Sequence, residues 1–132
     1  MGQQQLLLII LGVIVVGIAV AVGITMFQDN AVSANRDAVT NDLVNLASRA
    51  QQFYRRPVAL GGGGNSFTGG SGLTMAKLTS KTSNANGTYS LGTVNATSAV
   101  INGTGVEKGT DGSPISVTMT VFADSTYVVA NN

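Results

Sequence analysis

The feature that most limits how this chain can fold is a run of 22 residues, 6–27, in which Thr25 is the only polar side chain. At a rise of 1.5 Å per residue, a helix of this length measures about 33 Å, enough to cross the hydrocarbon core of a bilayer. Because apolar side chains surround its whole circumference, such a helix must be enclosed by lipid or protein on every side. The rest of a 132-residue chain is too small to wrap it, so the enclosing partner comes from outside the chain.

Three interpretations of this apolar run compete. A cleaved secretory signal is disfavoured, because such signals open with basic residues and no Lys or Arg precedes Arg36. The A-x-A pattern at 19–21 also lies within the run rather than after it. A single-pass membrane anchor requires only the length of the run. The third interpretation is a helix that starts in the membrane and later packs against copies of itself.

The composition excludes several classes of function. Only 10% of the residues are charged and the net charge is +1, so the chain lacks the clustered basic face of a nucleic-acid-binding protein. With no His and no Cys, it cannot form a Cys–His nucleophile pair, the usual zinc sites or a disulfide framework. We therefore predict a protein that is not an enzyme and that has no cofactor and no specific nucleic-acid site.

The helical pattern continues beyond the apolar run. Residues 29–56 contain no Pro and no Gly, and their apolar side chains recur at helical spacing. They form one stripe of an amphipathic helix, which consists of Val32, Val39, Leu43, Leu46, Ala50 and Phe53. Pro57 disfavours helical geometry in the residue before it, and the glycines at 61–64 complete the stop. The sequence thus predicts one helix from about residue 3 to about residue 55, roughly 80 Å long.

The C-terminal region is rich in small polar residues and predicts a small sheet. Residues 61–72 are flexible by composition, and residues 73–80 suit either a turn or two of helix or a short edge strand. Strand patterns occupy 88–94 and 99–102, a strict alternation covers 115–121, and a turn at 123–125 leads into 126–130. The predicted fold is therefore α+β, with a long N-terminal helix packed on a small four-stranded antiparallel sheet.

These elements divide the chain into four parts. Residues 1–28 form the apolar half of the helix and residues 29–56 its amphipathic half, while 57–86 form a Gly-rich connecting loop and 87–132 the antiparallel β region. A β region of this size, with no disulfide, usually needs a staple or oligomerisation for stability. We expect the helix stripe and neighbouring subunits to supply that support.

Few residues of the C-terminal region suggest a site. The stretch 107–111 could be imagined as a calcium loop with Glu107 and Asp111 as ligands, but a solvated turn is the favoured interpretation. The glycine runs lack the Lys-Ser/Thr ending of a phosphate loop. Three Asn-x-Thr sequons begin at Asn86, Asn95 and Asn102, and these are candidate glycosylation sites on a surface with few charges.

The order of a long helix with an apolar first half, a Gly-rich loop and a small β region resembles that of a type IV pilin. This resemblance implies a structural subunit of an extracellular pilus, or fimbrium. Its apolar helix half would lie in the inner membrane before the pilus assembly machinery acts, and would then pack against other copies in the core of a helical filament. Whether such a filament serves adhesion, motility or DNA uptake depends on motors and minor subunits. An archaeal-type pilin, a secretion-system pseudopilin and a single-pass anchored surface domain are the alternatives.

The resemblance also assigns roles to residues. Gly12, Gly17 and Gly23 would either loosen the helix within the filament or allow close helix–helix contact. The apolar run supplies the assembly surface, which consists of Leu6, Leu7, Leu8, Ile9, Ile10, Leu11, Val13, Ile14, Val15, Val16, Ile18, Val20, Val22, Ile24 and Phe27.

The start of the chain departs from the pilin pattern. Pilins usually carry Glu at the fifth mature position, where it is thought to pair with the terminal amine of a neighbouring subunit. Gln5 takes that place if Met1 is the first mature residue, and Leu7 takes it if the mature chain begins at Gln3. Gln5 can accept a hydrogen bond from the amine but cannot neutralise its charge. We expect Gln5 or the N-terminal amine, which Met1 carries if it is the first mature residue, to set subunit register, and the resemblance implies a methylated N-terminus.

Overall fold

The structure is a computed structural model that describes residues 2–131. It confirms the predicted α+β fold, in which a long N-terminal helix packs on a four-stranded antiparallel sheet. Met1, to which we assigned a role in assembly, lies outside the described residues. The elements, in chain order, are α1 (Gly2–Arg55), a 3-10 turn (Val58–Leu60), α2 (Met75–Leu78), β1 (Gly87–Val94), β2 (Ser98–Lys108), β3 (Pro114–Phe122) and β4 (Thr126–Asn131).

Helix α1 passes through both halves of the predicted helix without a break. Its 54 residues correspond to a length of about 81 Å. The predicted stripe is buried from Val39 to Phe53, but Val32 is only half-buried. Asn35 and Ala47 are buried as well, although neither belongs to the predicted stripe. The helix therefore packs on the rest of the chain only from about residue 35 onward.

The four strands form one antiparallel sheet in the order β1-β2-β3-β4. Each strand pairs with the next along the chain. Alternate residues of β2 and β3 face α1, as the period of two predicts for a sheet with one covered face. Those with no exposed area are Ala99, Ile101, Ile115, Val117, Met119 and Val121.

Strand β2 is longer than predicted. The sequence pattern predicts a strand only over 99–102, and the glycines that follow are typical of turns. In the structure β2 continues to Lys108, and Gly103 and Gly105 lie on its buried face. A Cβ at Gly103 would lie only 2.7 Å from Cγ1 of Val39 on α1. These glycines therefore allow the helix to approach the sheet closely.

The Gly-rich loop, for which the composition predicts flexibility, is hydrogen-bonded to the end of α1. Its backbone N–H groups satisfy the last carbonyls of α1: Gly63 donates to Phe53 at 2.8 Å and Asn65 donates to Tyr54 at 2.7 Å. Helix ends need such partners. Phe67 anchors the loop, because its buried ring lies 4.9 Å from that of Tyr54. Of the two interpretations of 73–80, the helical one is confirmed by α2.

Candidate functional site

The most extensive candidate site is the bare first half of α1. Every large apolar side chain in residues 6–27, sixteen in all, is between 52% and 76% exposed. The most apolar 18-residue window of the helix has a mean hydropathy of 3.2, and none of it is buried. Within residues 2–131, α1 is the one helix long and apolar enough to cross a membrane.

This surface is strongly unfavourable in water. Full burial of one large aliphatic side chain contributes about 1.5–3 kcal/mol. These side chains are already partly covered by their neighbours on the helix, so covering all sixteen contributes on the order of 15–30 kcal/mol. Such an area is far larger than the apolar patches of ordinary soluble monomers. The apolar half of α1 is therefore a contact surface for lipid or protein.

The three predicted flexibility residues lie within this surface without local packing. A Cβ placed on Gly12, Gly17 or Gly23 would meet nothing within 4 Å, apart from the backbone of the helix itself. Gln5 is also exposed, near the start of the helix. The fold of a single chain therefore does not require small residues at these positions, and both predicted roles for the glycines remain predictions.

A second candidate site is a polar network where α1 meets the start of β1. Asp42 lies on α1, and its Oδ2 accepts three hydrogen bonds. Two come from the side-chain amides of Asn84 and Asn86, each at 3.0 Å, and the third comes from the hydroxyl of Tyr89. One carboxylate thus holds the loop before β1 and the strand itself against the helix.

The network changes the acid–base properties of both of its titratable members. Partial burial pushes the pKa of Asp42 upward, but the hydrogen bonds from Tyr89, Asn86 and Asn84 outweigh this effect, so its pKa lies below the ordinary value of 3.8. Burial, followed by the hydrogen bond and the charge of Asp42, raises the pKa of Tyr89. Tyr89 therefore remains a protonated donor and Asp42 an ionised acceptor at neutral pH.

We expect Asp42→Asn to destabilise the globular part by about 1–2 kcal/mol at pH 7, because a charged acceptor of three hydrogen bonds is lost. A depressed carboxylate pKa stabilises the folded state above the unfolded-state pKa, near 3.8, and this stabilisation is lost as the pH falls through the lower folded-state pKa. The difference between the wild-type protein and the variant should therefore shrink at pH values below about 4. Thermal unfolding in detergent, followed by near-UV circular dichroism, measures it.

The matched control is Asp37→Asn, which changes an exposed aspartate of the same helix. This variant should unfold within about 0.5 kcal/mol of the wild-type protein. Equal losses in the two variants, or a loss at Asp42 that persists unchanged at low pH, would contradict the role assigned to the network.

Asn35 forms a further polar contact that sequence reasoning missed. Its side-chain amide donates to the carbonyl of Asn86 at 2.8 Å, and its Oδ1 accepts from the backbone N–H groups of Val106 and Glu107 at 3.0 and 3.2 Å. The two N–H groups lie in β2 beyond its last pairing with β1, at Gly105. Asn35 therefore completes the ladder where β1 ends. The sequence carries one sign of this contact, because Asn35 lies three residues after Val32 and therefore on the same face of the helix.

A shallow pocket of about 170 Å³ lies beside the polar network. Its lining is polar and includes Arg49 and Lys81 in addition to Asp42 and Tyr89. Arg49 already donates to the carbonyl of Leu78 at 2.7 Å, where it joins α1 to α2. The pocket thus consists mainly of groups that hold the helix and the loop together.

The three sequons occupy different environments. The side-chain amide of Asn86 is half-buried and donates to Asp42. Asn102 is half-buried in the middle of β2, between Ser90 of β1 and Thr118 of β3. Asn95 is exposed in the turn between β1 and β2. Asn95 is thus the most exposed of the three to a glycosylating enzyme, although its side-chain amide donates to the hydroxyl of Ser98 at 3.4 Å.

The stretch 107–111 forms the end of β2 and a hairpin turn. Gly109 donates to the carbonyl of Ser113 at 2.8 Å, and the backbone N–H of Ser113 donates to Oδ1 of Asp111 at 2.9 Å. No group of three or more Asp, Glu, His or Cys side chains within the described part of the chain could hold a metal ion. This hairpin is a surface turn in which Gly109, Asp111 and Ser113 make local hydrogen bonds.

No protein-family model, curated protein or solved structure matches the chain. A function must therefore come from the exposed helix and from the way the globular part is built around its second half.

Proposed function

We propose that the protein is a structural subunit of an extracellular, type IV pilus-like helical filament. In this proposal the subunits assemble by side-by-side packing of their N-terminal apolar helices. The observation that carries it is the bare half of α1, in which sixteen large apolar side chains are at least 52% exposed although the globular part has a complete core of its own.

The proposed mechanism is physical rather than catalytic. Before assembly, the inner membrane buries the apolar half of α1. The pilus assembly machinery then exchanges lipid contacts for contacts between the helices of neighbouring copies. Release of a single subunit into water would expose an apolar surface worth on the order of 15–30 kcal/mol, so the filament should resist dissociation. The sheet and its loops would form the outer surface.

Two features of α1 support a filament beyond the length of its apolar run. The helix continues unbroken from Gly2 to Arg55, so a single helix joins the globular part directly to the apolar half. The positions of Gly12, Gly17 and Gly23 are open, and small residues at such positions let helix backbones approach each other closely. The second candidate, a single-pass membrane anchor, is supported by the match of about 33 Å between the apolar run and a bilayer.

Electron microscopy of material sheared from cells tests the proposal, with intact mass and N-terminal sequencing on the same sample. We expect uniform thin filaments built from this chain, with a first residue that is Met1 or Gln3 and carries a methyl group. Detergent-extracted monomer without filaments under any growth condition would contradict the proposal and favour the membrane anchor. Short periplasmic structures with bound calcium would favour a pseudopilin.

A matched pair of apolar substitutions makes the test sharper. Gly17→Leu keeps the run apolar and long enough to span the membrane, but it fills a position that is open in the isolated chain. Val16→Leu makes a similar apolar change one residue earlier. Packing between helices predicts a several-fold loss of filaments in Gly17→Leu relative to Val16→Leu, with equal amounts of both variants in the membrane. Equal filament yields would contradict close packing at Gly17.

A further inference from the structure

Strand β4 forms an edge of the sheet that carries none of the usual protection. All six of its residues, Thr126–Asn131, are exposed, and within the described chain it pairs only with β3. It contains no charged residue and no Pro, and its register with β3 is unbroken. Proteins normally protect such edges with charges, Pro, bulges or a covering segment, because free backbone groups recruit another strand. The edge of β4 is therefore ready to pair.

The opposite edge of the sheet is partly covered. Beside the first residues of β1, the backbone N–H of Tyr89 donates to the carbonyl of Thr82 at 2.8 Å, and Ser83 forms a bridge with Thr88. No strand or bridge within residues 2–131 covers the outer edge of β1 from Ser90 to Val94. This part of β1 is also free of charge, but its register with β2 shifts between Leu91 and Val94. The sheet thus has two neutral edges, one at β4 with an unbroken register and one at the 90–94 segment of β1, and neither strand carries a charge that would repel the other.

The number of strands determines how these edges can meet. In an antiparallel sheet with four strands in chain order, β1 and β4 run in opposite directions. Two copies in the same orientation, side by side, therefore bring β4 of one against β1 of the next as an antiparallel pair. Antiparallel pairing of β4 with β4 would instead need a two-fold axis and would point the two α1 helices in opposite directions.

We propose that β4 of one subunit pairs with the 90–94 segment of β1 in a second copy, so that the sheet continues from subunit to subunit. This inference rests on the proposed filament, in which the α1 helices point the same way. The pairing would cover Val128, which lies next to Met119 on the helix-facing side of the sheet and is still 39% exposed. Leu91 and Val94, half-buried near the edge of β1, would supply the apolar contacts.

Cysteine cross-linking of the full-length chain tests the pairing, since the chain has no Cys of its own. One Cys is placed on β4 by Val129→Cys and one on β1 by Ser90→Cys or, to cover the register, by Thr93→Cys. A short bismaleimide is added to the protein in sheared material and in membranes. The proposal predicts a ladder of dimers, trimers and larger species on denaturing gels, because each copy donates one edge and accepts the other.

The controls separate this contact from other arrangements. Val129→Cys alone should stay monomeric, and a cross-linked dimer of this variant would overturn the proposal in favour of β4–β4 pairing. Val129→Cys with Thr104→Cys, which lies on the exposed face of a central strand, should give no ladder. A ladder from this control would overturn the proposal, because contact would not be confined to the edges.

A charge on the edge provides a second, independent test. Val129→Lys should reduce the ladder formed by Tyr127→Cys with Ser90→Cys at least tenfold, whereas Thr104→Lys should leave it unchanged, with the same circular dichroism spectrum in both. Filaments that form without any ladder would overturn the edge pairing and leave the proposed function standing. A ladder in membranes from cells without filaments would support the edge pairing and count against the filament.

Discussion

A chain that lacks residues 1–28 is expected to keep its fold and to stay in solution without detergent. Every buried residue of the described structure lies at Asn35 or beyond, so the deletion removes none of the core. It does remove all sixteen exposed apolar side chains of the run, which otherwise require lipid, detergent or other copies. Ultracentrifugation after extraction without detergent, together with circular dichroism, measures the outcome.

The control for this deletion removes only residues 1–5. These residues precede the apolar run, so the shortened chain should still sediment with membranes or require detergent. A 29–132 chain that is unfolded, or that still needs detergent, would show that the apolar half of α1 supports the globular part. That outcome would contradict the conclusion that the apolar half of α1 is a contact surface and contributes nothing to the core of the globular part.

Phe67→Ala is expected to have the largest effect of any single phenylalanine substitution on the stability of the globular part. Phe67 has no exposed area and packs against Tyr54, while it holds the Gly-rich loop over the end of α1. Truncation of a buried phenylalanine costs about 3–5 kcal/mol. For a domain of this size, such a loss lowers the melting temperature by roughly 12 °C or more. Thermal unfolding in detergent, followed by the near-UV signal of the tyrosines, measures it.

Phe27→Ala is the matched control, because Phe27 is 76% exposed at the end of the apolar run. It should leave the melting temperature of the globular part unchanged. Similar shifts in Phe67→Ala and Phe27→Ala would mean that the loop is not anchored through Phe67. The loop would then be flexible, as its composition predicts.

The long helix could be predicted from the sequence because its signals are local. Residues 3–55 contain no Pro, the stripe from Val39 to Phe53 has helical spacing, and Pro57 marks the end. The alternation in β3 and the turn before β4 are equally local, and both strands lie within one or two residues of their predicted positions. For these elements, neighbouring residues alone carry enough information.

The elements that the sequence did not predict depend on contacts between distant residues. The extension of β2 needs glycines at 103 and 105 because α1 lies directly above them, whereas the same glycines are typical of turns when only their neighbours are considered. The loop makes hydrogen bonds to the end of α1, and its composition does not predict them. Asn35 and Asp42 were missed because their partners lie more than 40 residues away along the chain.

The two candidate contact surfaces also differ in whether local sequence reveals them. The apolar run is visible in the sequence because each of its residues is apolar, whatever the rest of the chain does. The unprotected edge of β4 becomes visible only when strand order and register are known, because a neutral strand in the middle of a sheet has the same sequence pattern.

Helix α1 packs on the rest of the chain only from Asn35 onward, and this has a mechanical consequence. Between Phe27, where the apolar run ends, and Asn35, the first buried residue, no side chain is fully buried, and the β2–β3 turn lies beside this stretch across an open groove. In the proposed filament, residues 28–34 would resist tension mainly through their helical hydrogen bonds. Their unwinding from 1.5 to about 3.3 Å per residue would add about 13 Å per subunit. A filament built this way could lengthen under load before its core or its outer surface came apart.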